Sequence, residues 1–300
     1  MQTTVTEKIE ILSTDLLDQY RFLVDELKGL ASSLGLEFGW HYLLDLCWII
    51  THLGTIDGQH ILDAGAGTGV LQWYLAQNGA EVLSVDRTSR AALPLKFRRR
   101  FHVQGLREGD AIDLKPALTA LVDNLKAEPN IRTRLHFFAH ELLGVFRSPS
   151  ARGRVFVYNQ DLQNLESIPS DSLDAVVALS ALEHNPPQNL NPVVKELIRV
   201  VKPGGLLLAT LGATQDADWF HKPSQGWCYT EASLRQAFDL PQSTPSNYEN
   251  YTQYFNNLCN SAYLRDNLAG FYFQSGNNGM PWGVWDPKYQ SVGVLKVKQS

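Results

Sequence analysis

The sequence has few cysteines and no long apolar run, and each shortage excludes a class of protein. Its 300 residues include three cysteines, which lie far apart and form no Cys-x-x-Cys pair: Cys47, Cys228 and Cys259. This spacing argues against a disulfide framework and a zinc site, so we expect reduced thiols in a cytoplasmic protein without a metal. The most apolar stretch, residues 43–53, is too short to span a bilayer and contains Asp45 and His52.

A secretory leader and a strong positive charge are also missing. No basic segment followed by an apolar core opens the chain, so we expect no signal peptide. The net charge of −5 argues against wholesale binding of nucleic acid, although a local basic patch remains compatible with it. With 44% hydrophobic residues, the chain can bury a full core.

The stretch over residues 61–69, Ile-Leu-Asp-Ala-Gly-Ala-Gly-Thr-Gly, is the most informative part of the chain. Three glycines alternate at Gly65, Gly67 and Gly69, shortly after Asp63, between a predicted strand and a predicted helix. Glycines at such a turn let a ligand lie against bare backbone, where a Cβ would collide with it. A dinucleotide site has the pattern Gly-x-Gly-x-x-Gly, and the third glycine here comes one residue too early.

Two further acids follow predicted strands. Residues 81–86 form a compact apolar strand that ends in Asp86, and residues 154–158 form another, soon followed by Asp161 and Leu162. Asp86 lies at about the 20-residue offset at which an acid meets ribose hydroxyls in doubly wound folds. A carboxylate can accept two hydrogen bonds, which suits a vicinal diol.

The strand series continues with two apolar segments of the buried type, residues 172–180 and 206–210. Leu-Glu-His at 182–184 follows the first segment, and Lys-Pro-Gly-Gly at 202–205 precedes the second. The whole ordered series, over about residues 60–212, resembles the class I S-adenosylmethionine-dependent methyltransferases, and in particular the type 11 methyltransferase group.

The resemblance implies an α/β fold with a doubly wound, mostly parallel, seven-stranded sheet, closed by an antiparallel strand at residues 290–298. It implies S-adenosylmethionine as cofactor, with Asp161 accepting from the adenine amino group and Leu162 packing against the ring. The implied cofactor-binding residues are Asp63, Gly65, Ala66, Gly67, Thr68, Gly69, Asp86, Arg87, Asp161, Leu162, Leu179 and Ser180.

The domain organisation follows from what lies outside this series. Helical periodicity over residues 7–57 predicts an N-terminal helical cap at 1–57, followed by a methyltransferase domain at 58–300. The long interval before the third strand predicts an insertion at about 88–153. The C-terminal region, from about residue 213 to 300, is predicted to contribute to substrate binding and to close the sheet. They include a helix at 230–238, with Thr230 as its N-cap.

The candidate catalytic residue is His184, because it follows the fourth strand and an imidazole titrates in the useful range. The alternative, which we favour, is that Glu183 and His184 brace the loop, since methyl transfer can proceed largely by positioning. The candidate substrate-binding residues are Trp40, Tyr42, Trp219 and His221.

The acceptor is expected to be a small molecule, and two alternative functions stay open. Seven cations between residues 87 and 107 could meet an anionic acceptor, dock RNA or protein, form an oligomer contact or simply be a solvated helix face: Arg87, Arg90, Lys96, Arg98, Arg99, Arg100 and Arg107. An RNA or protein methyltransferase is therefore one alternative. A protein that binds S-adenosylmethionine without turnover is another.

Overall fold

The computed structural model describes residues 6–37, 41–110, 114–127, 130–132, 134–135, 138–139, 151–266 and 285–299. One mixed sheet of ten strands runs through them: β1 Lys8–Ile11, β2 His60–Ala64, β3 Glu81–Asp86, β4 Gln104–Gly105, β5 Arg154–Asn159, β6 Leu173–Leu179, β7 Val201–Ala213, β8 Trp219–His221, β9 Gly226–Tyr229 and β10 Gln290–Val297.

The strand order is β1-β10-β7-β6-β2-β3-β5-β4, with β9 beside both β7 and β8. Strands β5, β3, β2, β6 and β7 are parallel neighbours, whereas β10 is antiparallel to both β7 and β1. The order reverses direction between β2 and β6, which is the point where ligands bind in open α/β sheets. The prediction of a doubly wound, mostly parallel sheet with an antiparallel closing strand is confirmed.

Helices cover the sheet on both faces. Those within the described residues are α1 Asp15–Gln19, α2 Arg21–Leu34, α3 Tyr42–Leu53, α4 Val70–Gln77, α5 Leu95–Arg100, α6 Leu114–Ala127, α7 Pro187–Val200, α8 Glu231–Ala237 and α9 Tyr251–Cys259. The predicted N-cap of α8 is confirmed, because the Thr230 side chain accepts from the Ser233 N–H. No helix in the described part of the chain has the length and apolar character needed to cross a membrane.

Alternation along the strands produces two apolar layers. Ile61 of β2 joins one buried cluster with α3 and α4, while Leu62 joins the other with α7 and α8. Successive side chains of a strand point to opposite faces, so an uninterrupted apolar strand is buried on both. The carboxyl ends of β2, β3 and β6 are thereby fixed between two packed layers, which positions the loops that follow them.

The strand count differs from the prediction, because the sheet has ten strands rather than seven. Residues 8–11 were included in the predicted helical periodicity, yet they form β1 and pair with β10. In Lys-Ile-Glu-Ile the two isoleucines are buried and their neighbours are half-buried, which is the two-residue period of a strand. β1 forms the edge of the sheet beside β10.

The predicted insertion contains more of the sheet than expected. Its described part includes α5, β4 and α6, and β4 extends the sheet by pairing in parallel with β5. Its remaining segments, including residues 140–150, lie outside the described residues. The division into a cap at 1–57 and a domain at 58–300 stays a prediction.

Candidate functional site

The glycine-rich turn between β2 and α4 is folded tightly against the neighbouring strands. Gly65 and Gly67 have positive φ angles of 71° and 48°, which side chains other than glycine rarely adopt. The N–H groups of Gly65 and Ala66 both donate to the Val85 carbonyl, at 2.9 and 3.0 Å. A Cβ on Gly65 would lie 2.4 Å from the Cβ of Ala181, so glycine allows the turn to approach the loop after β6.

Gln72 holds this turn from the α4 side, and the sequence analysis did not identify it. Its buried Nε2 donates to the carbonyls of Ala66, Gly67 and Gly69, each at 3.2 Å. Its Oε1 accepts from Ser84 Oγ at 2.7 Å. In the sequence, Gln72 is the one polar residue within the otherwise apolar segment 70–76, and this could have indicated a buried polar side chain. A buried amide needs partners, and these backbone carbonyls supply them.

Asp86 lies at the carboxyl end of β3, directly beside the turn. Its Oδ2 accepts from the Gly67 N–H at 2.9 Å, and its Oδ1 accepts from the Thr88 N–H at 2.8 Å. Each bond uses one lone pair on its oxygen, so each oxygen can accept a second hydrogen bond. The structure therefore fixes the carboxylate and leaves it able to bind a ligand hydroxyl.

Asp63 and Arg90 form the buried charged floor under the turn. Burial raises the pKa of Asp63 to about 7, while Arg90 opposes the rise and Asp86 adds to it. The Arg90 guanidinium donates to Ser84 Oγ, to the Ser84 carbonyl at 2.7 Å and to the Tyr158 carbonyl at 3.0 Å. Arg90 belongs to the predicted basic run, but its bonds tie β3 to β5.

A cavity of about 670 Å³ opens where these elements meet, at the carboxyl ends of β2, β3 and β6. All but one of the predicted cofactor-binding residues line it: Asp63, Gly65, Ala66, Gly67, Thr68, Gly69, Asp86, Arg87, Leu162, Leu179 and Ser180. The exception is Asp161, which is not part of the lining and forms an ion pair with Arg87 at 2.9 Å.

The lining of the cavity also includes hydroxyl and imidazole groups. Tyr42, Ser180 and His184 all line it. Burial raises the pKa of Tyr42 to about 12, and the neighbouring Ser180 side chain partly opposes the rise. The Nδ1 of His184 lies 2.9 Å from the Gln225 carbonyl oxygen. A carbonyl can only accept, so Nδ1 carries the hydrogen and neutral His184 presents Nε2 as an acceptor.

The sequence of this region matches a known family. Residues 138–209 match the Methyltransf_11 family model, which describes a methyltransferase domain. In this region the chain resembles methyltransferase domains. The match ends within β7 and leaves out the glycine turn and Asp86, which the fold places at the same cavity.

Two curated methyltransferases resemble short parts of the chain. The ubiquinone biosynthesis O-methyltransferase of Leptothrix cholodnii is 44% identical over 48 residues, which cover 16% of this chain and 20% of that protein. The cypemycin N-terminal methyltransferase of a Streptomyces species is 39% identical over 71 residues, covering 23% of this chain and 28% of that protein. The chain thus matches less than a third of the length of either relative.

A solved structure shares the fold of the methyltransferase domain. The Haemonchus contortus phospholethanolamine N-methyltransferase 2, in complex with phosphomonomethylethanolamine and S-adenosylhomocysteine, superposes with a TM-score of 0.50 and 15% identity. The superposition covers 95% of this chain and 60% of that one. At this identity the likeness concerns the fold alone.

The predicted substrate-binding residues are in three different situations. Tyr42 lines the cavity, whereas Trp40 lies outside the described residues. Trp219 and His221 are not in the lining, and they pack edge to face on β8 with ring centroids 5.4 Å apart. His221 also contacts Tyr289, at 5.3 Å between ring centroids, so these rings belong to an aromatic cluster beside the site.

The basic run of the insertion makes its described contacts within the chain itself. Arg98 donates to the carbonyls of Leu93 and Ala91, at 2.8 and 2.7 Å. Arg107 forms an ion pair with Asp110 at 2.8 Å, and Arg100 donates to two side chains of neighbouring helices. Of the cations in the run, Arg87 is the one that lines the cavity among the described residues. No group of metal-ligating side chains occurs in the described part of the chain.

Proposed function

We propose that the chain transfers a methyl group from S-adenosylmethionine to a small-molecule acceptor. One observation carries the proposal. A single cavity is lined both by a glycine turn with an acid beside it and by hydroxyl and imidazole groups. Its volume of about 670 Å³ is in the range of pockets that enclose small ligands. A nucleoside cofactor on the turn would leave the hydroxyl and imidazole groups to an acceptor.

The residues present fit this cofactor. Gly67 lines the cavity, and the nearest atom to a Cβ built on it is Asp86 Oδ2 at 3.8 Å, so a side chain there would enter open space. The free lone pairs of Asp86 suit the ribose diol, and Leu162 and Leu179 offer apolar surface to the adenine ring. Asp161 is less well placed, because Arg87 engages its carboxylate.

When bound, S-adenosylmethionine supplies a methyl group on a sulfonium that is open to in-line attack. The contribution of the protein is mainly to hold the acceptor atom in line and at contact distance, which can supply a large part of the rate. Residues on rigid elements suit this purpose, and Tyr42, Ser180 and His184 begin a helix or follow a strand end. His184 stays a candidate base, since its Nε2 can accept a proton.

The proposal names small molecules because nothing in the described surface favours a larger acceptor. Arg98 and Arg107, two of the arginines expected to meet an anionic acceptor or RNA, are bonded to carbonyls and a carboxylate of the chain itself. The two curated relatives methylate at oxygen and at an amino terminus by their names, so both oxygen and nitrogen acceptors come within the proposal.

A transfer assay with methyl-labelled S-adenosylmethionine and a small-molecule extract tests the proposal. We expect the native protein to label at least one extract component, and Gly67→Val to label none, because its side chain fills the cofactor side of the cavity. Gly58→Ala is the matched control, since Gly58 lies outside this cavity, with a φ of 75° and open space around it.

Two outcomes would contradict this function. Tight binding of S-adenosylhomocysteine without any labelling would favour a protein that binds the cofactor without turnover. Labelling of RNA in place of the extract, with retention that weakens as salt rises, would favour a nucleic-acid methyltransferase.

A further inference from the structure

Glu183 is a buried carboxyl group directly behind the cavity wall. It is 6% exposed, and its Oε1 accepts from Ser180 Oγ. Its Oε2 is buried and has no hydrogen-bond partner among the described residues. A Cβ on Gly226 would lie 3.0 Å from Glu183 Cγ, so the side chain fits closely against β9. A carboxyl in this position is costly to bury and contributes no described salt bridge to the fold.

Ser180 connects this carboxyl to the cavity. It lines the cavity and has a φ of 47°, a left-handed conformation that a serine rarely adopts. Its N–H donates to Thr210 of β7, to both the carbonyl and Oγ1 at 3.2 Å, which holds the strained residue in place. Strain of this kind persists where the surrounding structure imposes it, and it is common at functional sites. The Ser180 hydroxyl is thereby placed between the cavity and Glu183.

We propose that Glu183 receives the proton of the acceptor through the hydroxyl of Ser180. This inference rests on the proposed methyl transfer. The X–H bond of the acceptor breaks as Ser180 Oγ takes the proton, and the electron pair stays on the acceptor atom. The hydroxyl proton of Ser180 moves to Glu183 Oε1, so the carboxylate becomes a neutral carboxylic acid. The proton returns to solvent by the reverse path after the product leaves.

In this scheme Ser180 touches the acceptor, and Glu183 is a positioning residue that acts through it. Tyr42 also lines the cavity, and its hydroxyl is close enough to the Ser180 side chain for Ser180 to lower the pKa of Tyr42 against the effect of burial. His184 is the next residue after Glu183 in the same short loop, and its Nδ1 is engaged by the Gln225 carbonyl. The buried carboxyl therefore offers a proton acceptor that is separate from the imidazole.

The surroundings of Glu183 suit a proton acceptor. The titratable groups that act on it, or on which it acts, come from α3, its own loop, β9 and the segment before β10: His41, Tyr42, His184, Cys228, Tyr229 and Tyr289. Of these six, the two histidines alone can carry positive charge. Burial raises the pKa of Glu183, and His184, Ser180 and His41 partly oppose the rise. A carboxylate with a raised pKa is a stronger base than an ordinary one.

The test compares Glu183→Gln with the native protein and with Glu249→Gln. The glutamine retains an oxygen that accepts from Ser180 but cannot take up a proton. Glu249 is exposed, and its described bond is to the neighbouring Asn250, so its variant controls for the change of charge. The rate of label transfer into the small-molecule extract is measured across pH, together with the dissociation constant for S-adenosylhomocysteine.

We expect Glu183→Gln to transfer label at least ~100-fold more slowly, with the rise in rate with pH abolished. Its affinity for S-adenosylhomocysteine should match that of the native protein. A readout that needs no acceptor is thermal unfolding. Because the pKa of Glu183 is raised, native stability falls as pH rises through that pKa, and the glutamine variant should be spared this loss. Glu249→Gln should behave as the native protein in all three measurements.

A purely structural role would give a different result. Glu183→Gln would then melt at a lower temperature but keep the native pH profile of transfer, which would overturn the proposal. If Glu183→Gln does not fold, Ser180→Ala decides, because it cuts the path at its first step while leaving the carboxyl in place. Native pH dependence in that variant would also overturn the proposal. Failure of the native protein itself to bind S-adenosylhomocysteine or to transfer label would instead contradict the proposed function.

Discussion

Gly65 is the position where a single methyl group should disturb the site most. A Cβ there would lie 2.4 Å from Ala181 Cβ, whereas carbon atoms in contact are about 3.5–4.0 Å apart. The turn or the loop after β6 would have to move by about 1 Å or more, and such overpacking destabilises by about 1–3 kcal/mol. The φ of 71° adds about 1–2 kcal/mol for a residue with a side chain. Gly65→Ala should therefore lose about 2–5 kcal/mol of unfolding free energy.

Substitutions at two other glycines separate the cost of overpacking from the cost of a positive φ angle. Gly58 has a φ of 75° and nothing within 4 Å of an added Cβ, so Gly58→Ala should show the conformational part alone, about 1–2 kcal/mol. Gly67→Ala should also lose about 1–2 kcal/mol, because its φ is 48° and its Cβ would point into the cavity. Gly67→Ala should in addition weaken binding of S-adenosylhomocysteine, which Gly58→Ala should leave unchanged.

Denaturant unfolding of the three variants measures these differences. A double-mutant cycle with Ala181→Gly completes the experiment, because removing the methyl group at 181 should recover the overpacking part of the Gly65→Ala loss, about 1–3 kcal/mol. If Gly65→Ala is as stable as Gly58→Ala, or if Ala181→Gly recovers nothing, the close approach of the turn to the loop after β6 is refuted.

Three further predictions concern pH, catalysis and helix capping. The pKa of Asp63 is raised from 3.8 to about 7, so native stability should fall as pH rises through 7, by up to about 4 kcal/mol. Asp63→Asn should avoid this loss. Equal pH profiles of unfolding free energy for the native protein and the variant would contradict the prediction. His184→Ala should lower the melting temperature and slow label transfer by less than ~10-fold, since a loss of ~100-fold would identify a base. Thr230→Ala should lose about 1 kcal/mol of unfolding free energy, because it removes the hydroxyl that caps the helix, whereas Thr230→Ser should lose little. Equal losses for the two variants would contradict a capping role for Thr230.

The elements that form the cavity could be predicted because their patterns are local. The strand that ends in Asp63, the glycines after it and the strand that ends in Asp86 are contiguous in sequence, and parallel strands place their carboxyl ends together. Leu162 and Ser180 also line the cavity, because each follows the carboxyl end of a parallel strand. Asp161 lies outside the lining, where its carboxylate pairs with Arg87, and its role at the adenine amino group stays a prediction.

Contacts between distant segments could not be predicted in this way. The strand at residues 8–11 is too short to show its period beside the longer helical pattern that follows, and its partner β10 lies almost a whole chain away. The bonds of Arg90 to β3 and β5, and of Gln72 to the turn, depend on the packed arrangement. A cluster of arginines in sequence therefore indicated a binding surface, where the structure shows internal bonds.

The most direct measurement is calorimetric titration of the native protein with S-adenosylhomocysteine and, separately, with NAD. The account predicts binding of one S-adenosylhomocysteine per chain and no binding of NAD, because the third glycine lies at position 69 and Asp86 faces the cavity. Asp86→Ala should weaken the binding by about 1–3 kcal/mol through lost hydrogen bonds. Binding of NAD without binding of S-adenosylhomocysteine would contradict the account.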